Sequence, residues 1–281
     1  MPESFDPATV DIRPAATVML VRDVVNGDPG IEVFMMRRTG SASFAAGAYV
    51  FPGGRVDGID GAAEIAPFCR GLDDAEASAQ LGLPAGGLAF WVAAVRECFE
   101  EAGLLMAERR DGTPLAVGPE DRHAVHDGSL PMVDLCRRDD LVLDLATTHY
   151  VAHWITPLGE KRRFDTRFFL TEAPPGQEGI HDDKETVESL WVRPAEALRM
   201  QAAGELMMLP PTVVNLQFLA GHDTAAAAVA GGEAEPPSLI LPRLRRNEEG
   251  RIIGVAMPGD PDFDSIEVHD PIADDYLAGL S

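Results

Sequence analysis

Cysteine is scarce in this chain: Cys69, Cys98 and Cys136 are the only three in 281 residues, an odd number with no close pairing. That leaves neither a disulfide framework nor a zinc knuckle, and reduced thiols of a cytoplasmic protein are the expectation. Long apolar runs are also missing. None approaches the roughly 18 residues of a membrane span, and Met1 to Val10 is polar with no basic stretch ahead of an apolar one, so neither insertion nor export is expected. Basic charge is in deficit, with 23 Lys and Arg against 46 Asp and Glu. A formal net charge of -23 repels phosphate backbones and anionic lipid unless cations intervene, so nucleic acid and membrane are not expected partners. No GxSxG elbow, Walker loop, HExxH pair or GxGxxG with a suitably placed acidic residue occurs, which excludes the serine-hydrolase, P-loop, His-based zinc and dinucleotide-dehydrogenase classes.

What is present suits a globular protein of one or two domains, with 46% apolar residues, while 27 Gly and 22 Pro imply much loop. Residues 15–22 and 31–38 are β-rich and flank the turn-formers VNGDPG, which predicts a hairpin. A third strand is expected over 48–51, ended by Pro52, Gly53 and Gly54. Residues 58–87, rich in Gly, Ala and Asp with a short helical pattern near 74–81, resemble an insertion. The clearest helix is 88–102, followed by Gly103 where a left-handed cap is wanted. A strand over 104–107 and a helix over 131–140 follow, then strands over 147–155, 163–171 and 187–192, and helices over 194–204 and 211–220. Residues 224–237 (TAAAAVAGGEAEPP) suggest a flexible linker, 239–264 a terminal hairpin, and the acidic end a mobile tail.

The chemistry concentrates in Arg96-Glu97-Cys98-Phe99-Glu100-Glu101-Ala102-Gly103-Leu104. At about 100° per residue, Glu97, Glu100 and Glu101 fall within one arc of a helix. Like charges at these spacings repel, and their place in the last turn opposes the helix dipole. A divalent hard cation would offset this, since oxygen-only donors suit Mg²⁺ or Mn²⁺. Arg96 supplies one nearby positive charge.

These residues resemble the second half of the Nudix box, G-x5-E-x7-R-E-U-x-E-E-x-G-U, with Cys98 at one aliphatic position. The upstream glycine would be Gly54 in Phe51-Pro52-Gly53-Gly54. Five intervening residues lead from Gly54 to Asp60, whereas eight back from Arg96 is Leu88, so the first glutamate's role is either taken by Asp60 or empty. Gly54 to Arg96 spans 42 residues where the motif has 14. Such an interrupted box is similar to a Nudix branch that includes coenzyme A and acyl-CoA diphosphatases. Further likenesses lie in Gly47-x3-Phe51-Pro52-Gly53-Gly54, His153-Trp154-Ile155-Thr156-Pro157, residues 163–169 and Leu209-Pro210-Pro211-Thr212. Ser43 stands where the coenzyme A signature has Arg.

The resemblance implies an α/β Nudix-type α/β/α sandwich, a mixed β-sheet between helices, over residues 1–223, with an insertion at about 59–87 that could roof the site or shape substrate choice. A linker at 224–237 and an extension at 238–281 complete the chain. It implies metal-dependent hydrolysis of a nucleoside diphosphate derivative, at best coenzyme A or acyl-CoA giving 3',5'-ADP and (acyl-)4'-phosphopantetheine. ADP-ribose, NADH or a non-catalytic nucleotide-binding module are the alternatives. Glu97, Glu100 and Glu101 would hold Mg²⁺ or Mn²⁺, helped by a backbone carbonyl near Gly53 and oriented by Arg96. Glu185 is the candidate general base from a later loop, with Glu188 the runner-up. A homodimer is common in this superfamily.

Other residues have two readings. Arg37 and Arg38 could grip phosphates or be solvated, and Gly54 could bring its backbone to the substrate. Arg163, Asp165 and Arg167 alternate on a strand, to contact substrate or to pair with one another. Phe90, Trp91 and Tyr150 could stack on adenine or fill core. His181-Asp182-Asp183 invites a metal reading without a supporting motif.

Overall fold

The structure, a computed structural model, describes residues 6–24, 29–40, 45–234 and 236–280. Its strands are β1 (Ile12–Asp23), β2 (Ile31–Arg38), β3 (Tyr49–Val50), β4 (Gly53–Arg55), β5 (Cys69–Arg70), β6 (Ala107–Arg109), β7 (Leu141–Asp144), β8 (His149–Ile155), β9 (Arg163–Glu172), β10 (Thr186–Val192), β11 (Leu239–Ile240), β12 (Arg243–Arg246) and β13 (Ile252–Ala256). The helices are α1 (Asp74–Leu81), α2 (Leu88–Ala102), α3 (Pro119–His126), α4 (Met132–Asp139), α5 (Pro194–Ala202), α6 (Pro210–Leu219), α7 (Ala225–Glu233) and α8 (Pro271–Leu280).

The main sheet runs β10-β2-β1-β9-β8-β11, with β3 beside β2 and β4 beside β1. It is mixed: β1 pairs antiparallel with β2 and β4 but parallel with β9, from Ile12 opposite Arg163 to Val21 opposite Glu172. Both faces of β1 are covered, which explains its nearly unbroken apolar run. Ala16, Val18 and Leu20 pack toward α2, while Met19 and Val21 pack toward α5, α6 and α7. The layers are therefore helix, sheet, helix, as expected. The turn residues 25–28 lie outside the described residues.

Helix α2 is buried nearly all round and stops at Gly103, whose φ of 70° is the left-handed cap the sequence promised. The insertion is not a loose flap. Asp73 and Glu76 form a capping box on α1, while Ile65, Ala77 and Leu81 join the α2 core cluster. Strand β5, also in the insertion, pairs with β7.

Several expectations need correction. Residues 104–106 are not strand: the Gln177 side-chain amide bonds both Leu105 N–H and Leu105 C=O at 2.9 Å, replacing a ladder partner, and β6 starts at Ala107. Gly53 and Gly54 do not simply end a strand but form β4 against Ala16 and Thr17. Helix α3 and strand β7 were not anticipated. The predicted linker is helical over Ala225–Glu233, because Thr224 caps Ala227 N–H at 3.1 Å, Asp23 accepts from Ala225 N–H at 2.7 Å, and Ala225 and Ala228 pack in the core. The acidic end forms α8, N-capped by Asp270 and anchored through Ala273. The hairpin expected over 239–264 is present as β12 and β13. Among the described residues no helix is long and apolar enough to cross a membrane.

Candidate active site

The last turns of α2 lie across β4, and two glycines make that approach feasible. A Cβ on Gly54 would sit 2.6 Å from the Glu97 carboxylate, and one on Gly53 would meet Ala16 O at 2.4 Å and Thr17 Cα at 2.6 Å. Gly53 N–H donates to Glu101 Oε2 at 2.9 Å, so Gly53 joins the cluster through its amide.

Arg96 organises the carboxylates. Its Nε and Nη2 donate to the two oxygens of Asp60 at 2.7 and 2.8 Å, its Nη1 to Glu97 and Glu100 at 2.8 and 3.2 Å, and its Nη2 also to Arg55 C=O at 2.9 Å. Asp60 is 1% exposed. The residue counted on from Gly54 thus meets the box arginine, despite its short side chain and the 28 residues interposed after it.

The unfavourable helix end is answered by a residue the sequence reading missed. Arg122 on α3 donates from Nε to Glu100 C=O at 2.9 Å and from Nη2 to Glu101 C=O at 2.7 Å, placing a cation on the negative pole of α2. His126, one turn further along α3, was missed too and lies beside Glu100. Their only trace in the sequence is a spacing of four in PEDRHAVH, which any surface helix can show.

Burial still weighs on the acids. It pushes the Glu97 carboxyl up to about 7, against the pull of Arg96 and with the push of Glu100. Glu100 is raised by burial despite Arg96, and Glu101 is well above the ordinary range through burial and the charge of Glu97.

On the open side, Glu185 is exposed and its carboxylate stands 3.7 Å from Arg38, and both act electrostatically on Glu101. Asp182 shapes the bend at 183–185 by accepting from Thr186 N–H at 2.9 Å and Oγ1 at 2.8 Å, while His181 pairs with Asp183 at 3.0 Å, and no metal cluster of three such side chains is found among the described residues. Glu188 belongs to the sheet: it faces Arg37 in register and pairs with it at 3.1 Å.

Two predicted substrate contacts are structural instead. Arg163 is 1% exposed and binds Asp270 with both terminal nitrogens, at 2.8 and 2.5 Å. Arg167, equally enclosed, binds Asp165, Tyr150 Oη and Leu81 C=O. Asp165 also meets His153 at 2.6 Å and Tyr276 at 3.1 Å. The alternation along β9 thus reports a buried polar network, as charges taken from water require partners. Trp91 is core as well, with its indole N–H on Thr148 C=O and its ring 4.7 Å from Phe169.

Among the described residues, no group of three or more His, Cys, Asp or Glu side chains converges as a ready metal cage. Arg96 holds Glu97 and Glu100, and Gly53 holds Glu101. The donor chemistry nevertheless fits a hard divalent cation: three adjacent carboxylates, all made costly to ionise by burial, would be relieved by a positive ion.

The chain is similar to known proteins. The family described as NUDT19 Nudix domain matches residues 12–219. Acyl-coenzyme A diphosphatase NUDT19 of Gallus gallus is 30% identical over 257 residues, covering 73% of this chain and 67% of the relative. The Homo sapiens protein of that name is 30% identical over 233 residues, covering 68% and 61%. The chain thus spans between 61% and 67% of the length of these two relatives. The crystal structure of a NUDIX hydrolase from Alicyclobacillus acidocaldarius superposes with a TM-score of 0.67 at 30% identity, covering 79% of this chain and 97% of that one. With the box residues gathered on α2 and the family match spanning the sheet and its helices, the chain belongs to the Nudix hydrolase family, within the NUDT19 Nudix domain group.

Proposed function

We propose that the chain hydrolyses the diphosphate of coenzyme A or acyl-CoA, with Mg²⁺ or Mn²⁺, to 3',5'-ADP and (acyl-)4'-phosphopantetheine. The observation that carries this reading is the cluster of buried Glu100 and Glu101 with half-buried Glu97 beside Gly53 and Gly54, on which Arg38 and Glu185 act electrostatically. The names of the relatives supply the substrate.

Glu97, Glu100 and Glu101 would hold the cation, which supplies charge neutralisation for the diphosphate and a more acidic water when bound. Arg96 and Asp60 keep the carboxylates oriented through the hydrogen bonds described above. The Arg38 side chain is partly exposed, with its Nη2 3.7 Å from Glu185, and its guanidinium is the cation placed to meet a phosphate oxygen. Arg37, paired with Glu188, is the lesser contributor. Glu185 accepts the proton of the attacking water.

Ser43, which lies outside the described residues, favours a second reading in which another nucleoside diphosphate derivative such as ADP-ribose or NADH is cleaved. The test is product analysis by mass spectrometry with CoA, acyl-CoA, ADP-ribose and NADH, with and without Mg²⁺ or Mn²⁺, beside Glu100→Gln. Metal-dependent 3',5'-ADP from CoA, lost in the variant, supports the first reading; cleavage of another compound supports the second. Binding without turnover of any compound would favour a nucleotide-binding module.

A further inference from the structure

Helix α3 turns Arg122 and His126, four residues apart and so stacked on one face, toward the end of α2. Arg122 fixes the backbone of Glu100 and Glu101. His126 approaches the Glu100 side chain: its Nδ1 stands 3.9 Å from Oε2, beyond a hydrogen bond. Among the described residues that Nδ1 is buried with no hydrogen-bond partner. The other carboxylate oxygen, Oε1, faces Arg96 Nη1 at 3.2 Å. Glu100 therefore has one donor engaged on one oxygen and, beside the other, an unpartnered imidazole nitrogen that donates in the Nδ1–H tautomer.

An enclosed imidazole nitrogen without a partner is costly unless some state of the protein uses it. We propose that His126 is a positioning residue for Glu100: when a divalent cation draws Glu100 away from Arg96, His126 Nδ1 closes on Oε2 and leaves Oε1 facing the ion. Groups that orient a ligand in this way set affinity without touching the metal. His126 does so from α3, an element outside the box. The inference rests on the reading of Glu100 as a cation ligand.

The experiment titrates Mn²⁺ into metal-free protein, following free Mn²⁺ by electron paramagnetic resonance, with thermal melts of each variant alongside. His126→Asn keeps a donor close to the Nδ1 position, His126→Gln moves it to the Nε2 position, and His126→Leu removes it. The Leu and Gln variants are expected to bind Mn²⁺ about 10-fold or more weakly, and the Asn variant within about 3-fold of wild type. Equal weakness of Asn and Gln, with matched melting temperatures, would reduce His126 to packing and overturn the proposal, as would wild-type affinity in the Gln variant. Should Leu fail to fold, the Asn and Gln pair decides. Glu100→Gln separates the two levels: if it binds Mn²⁺ as wild type does, the cation reading itself fails and the role of His126 with it.

Discussion

Asp60 grips Arg96 through both carboxylate oxygens, at 2.7 and 2.8 Å, across 36 residues of sequence. Removing one partner of a buried pair leaves the other charge without compensation. Asp60→Asn is expected to lower unfolding free energy by about 3 kcal/mol, the low end for such a break because Arg96 keeps its other acceptors. Urea denaturation would measure it; a change below about 0.5 kcal/mol, the scale of an ordinary surface substitution, would show that Asp60 does not anchor Arg96.

The two glycines of β4 should respond differently to the same change. Gly54→Ala places its methyl against the movable Glu97 carboxylate, so activity is expected to fall about 100-fold, the scale of an ångström-sized misplacement, with little change in melting temperature. Gly53→Ala strikes the backbone of Ala16 and Thr17 and should destabilise the fold itself. Paired kinetics and melts on the two variants check this contrast.

Stability without metal should decline with pH. The folded Glu97 carboxyl titrates near 7, above its ordinary value of 4.5, and Glu100 and Glu101 are raised as well. Between those limits the native state binds more protons than the unfolded chain, so ΔG of unfolding falls as pH rises through that window. Protons and cation compete for the same oxygens. Melting temperature is expected to drop between about pH 5 and pH 8 without metal, and the gain on adding Mn²⁺ should grow over the same range. A flat metal-free profile, after correction with a Glu97→Gln protein, would contradict the assignment.

For Glu185, replacement by Gln removes a proton acceptor while leaving the carboxylate trio in place. The expected signature is a kcat about 100-fold lower or more with KM nearly unchanged. A raised KM at full kcat would instead mark Glu185 as a binding residue.

Arg163→Ala should act on stability and not on substrate. Loss of its bond to Asp270 is expected to destabilise the fold by about 3–5 kcal/mol. KM of the protein that remains folded should match wild type, measured well below the new melting temperature.

The sequence made some of this legible and not the rest, for physical reasons. Helix α2 could be read to its last residue because periodicity, composition and Gly103 agree locally, and three carboxylates on one face announce a site wherever they fold. Strands β1, β2, β8, β9 and β10 were equally plain in their β-branched and aromatic runs. Asp60 could be counted to but not assigned, since nothing local says that a chain segment returns to Arg96. The role of Arg163 stays open between substrate and pairing for the same reason: its partner Asp270 is 107 residues away, and an alternating polar strand looks alike in a pocket and in a core. Helix α7 was hidden by composition, because an alanine-rich stretch resembles low complexity until the sheet supplies something to pack on.

The interruption of the box has a modest entropic meaning. Gly54 and Arg96 must meet whether 14 or 42 residues separate them, and closing the longer loop costs only about 1 kcal/mol more when the expense grows with the logarithm of length. Burying the Ile65 and Leu81 side chains offsets that at roughly 1.5–3 kcal/mol each. Closing the longer loop is thus a small term, and what the segment between the two halves of the box must keep is Asp60, the core anchors Ile65, Ala77 and Leu81, and the pairing of β5 with β7.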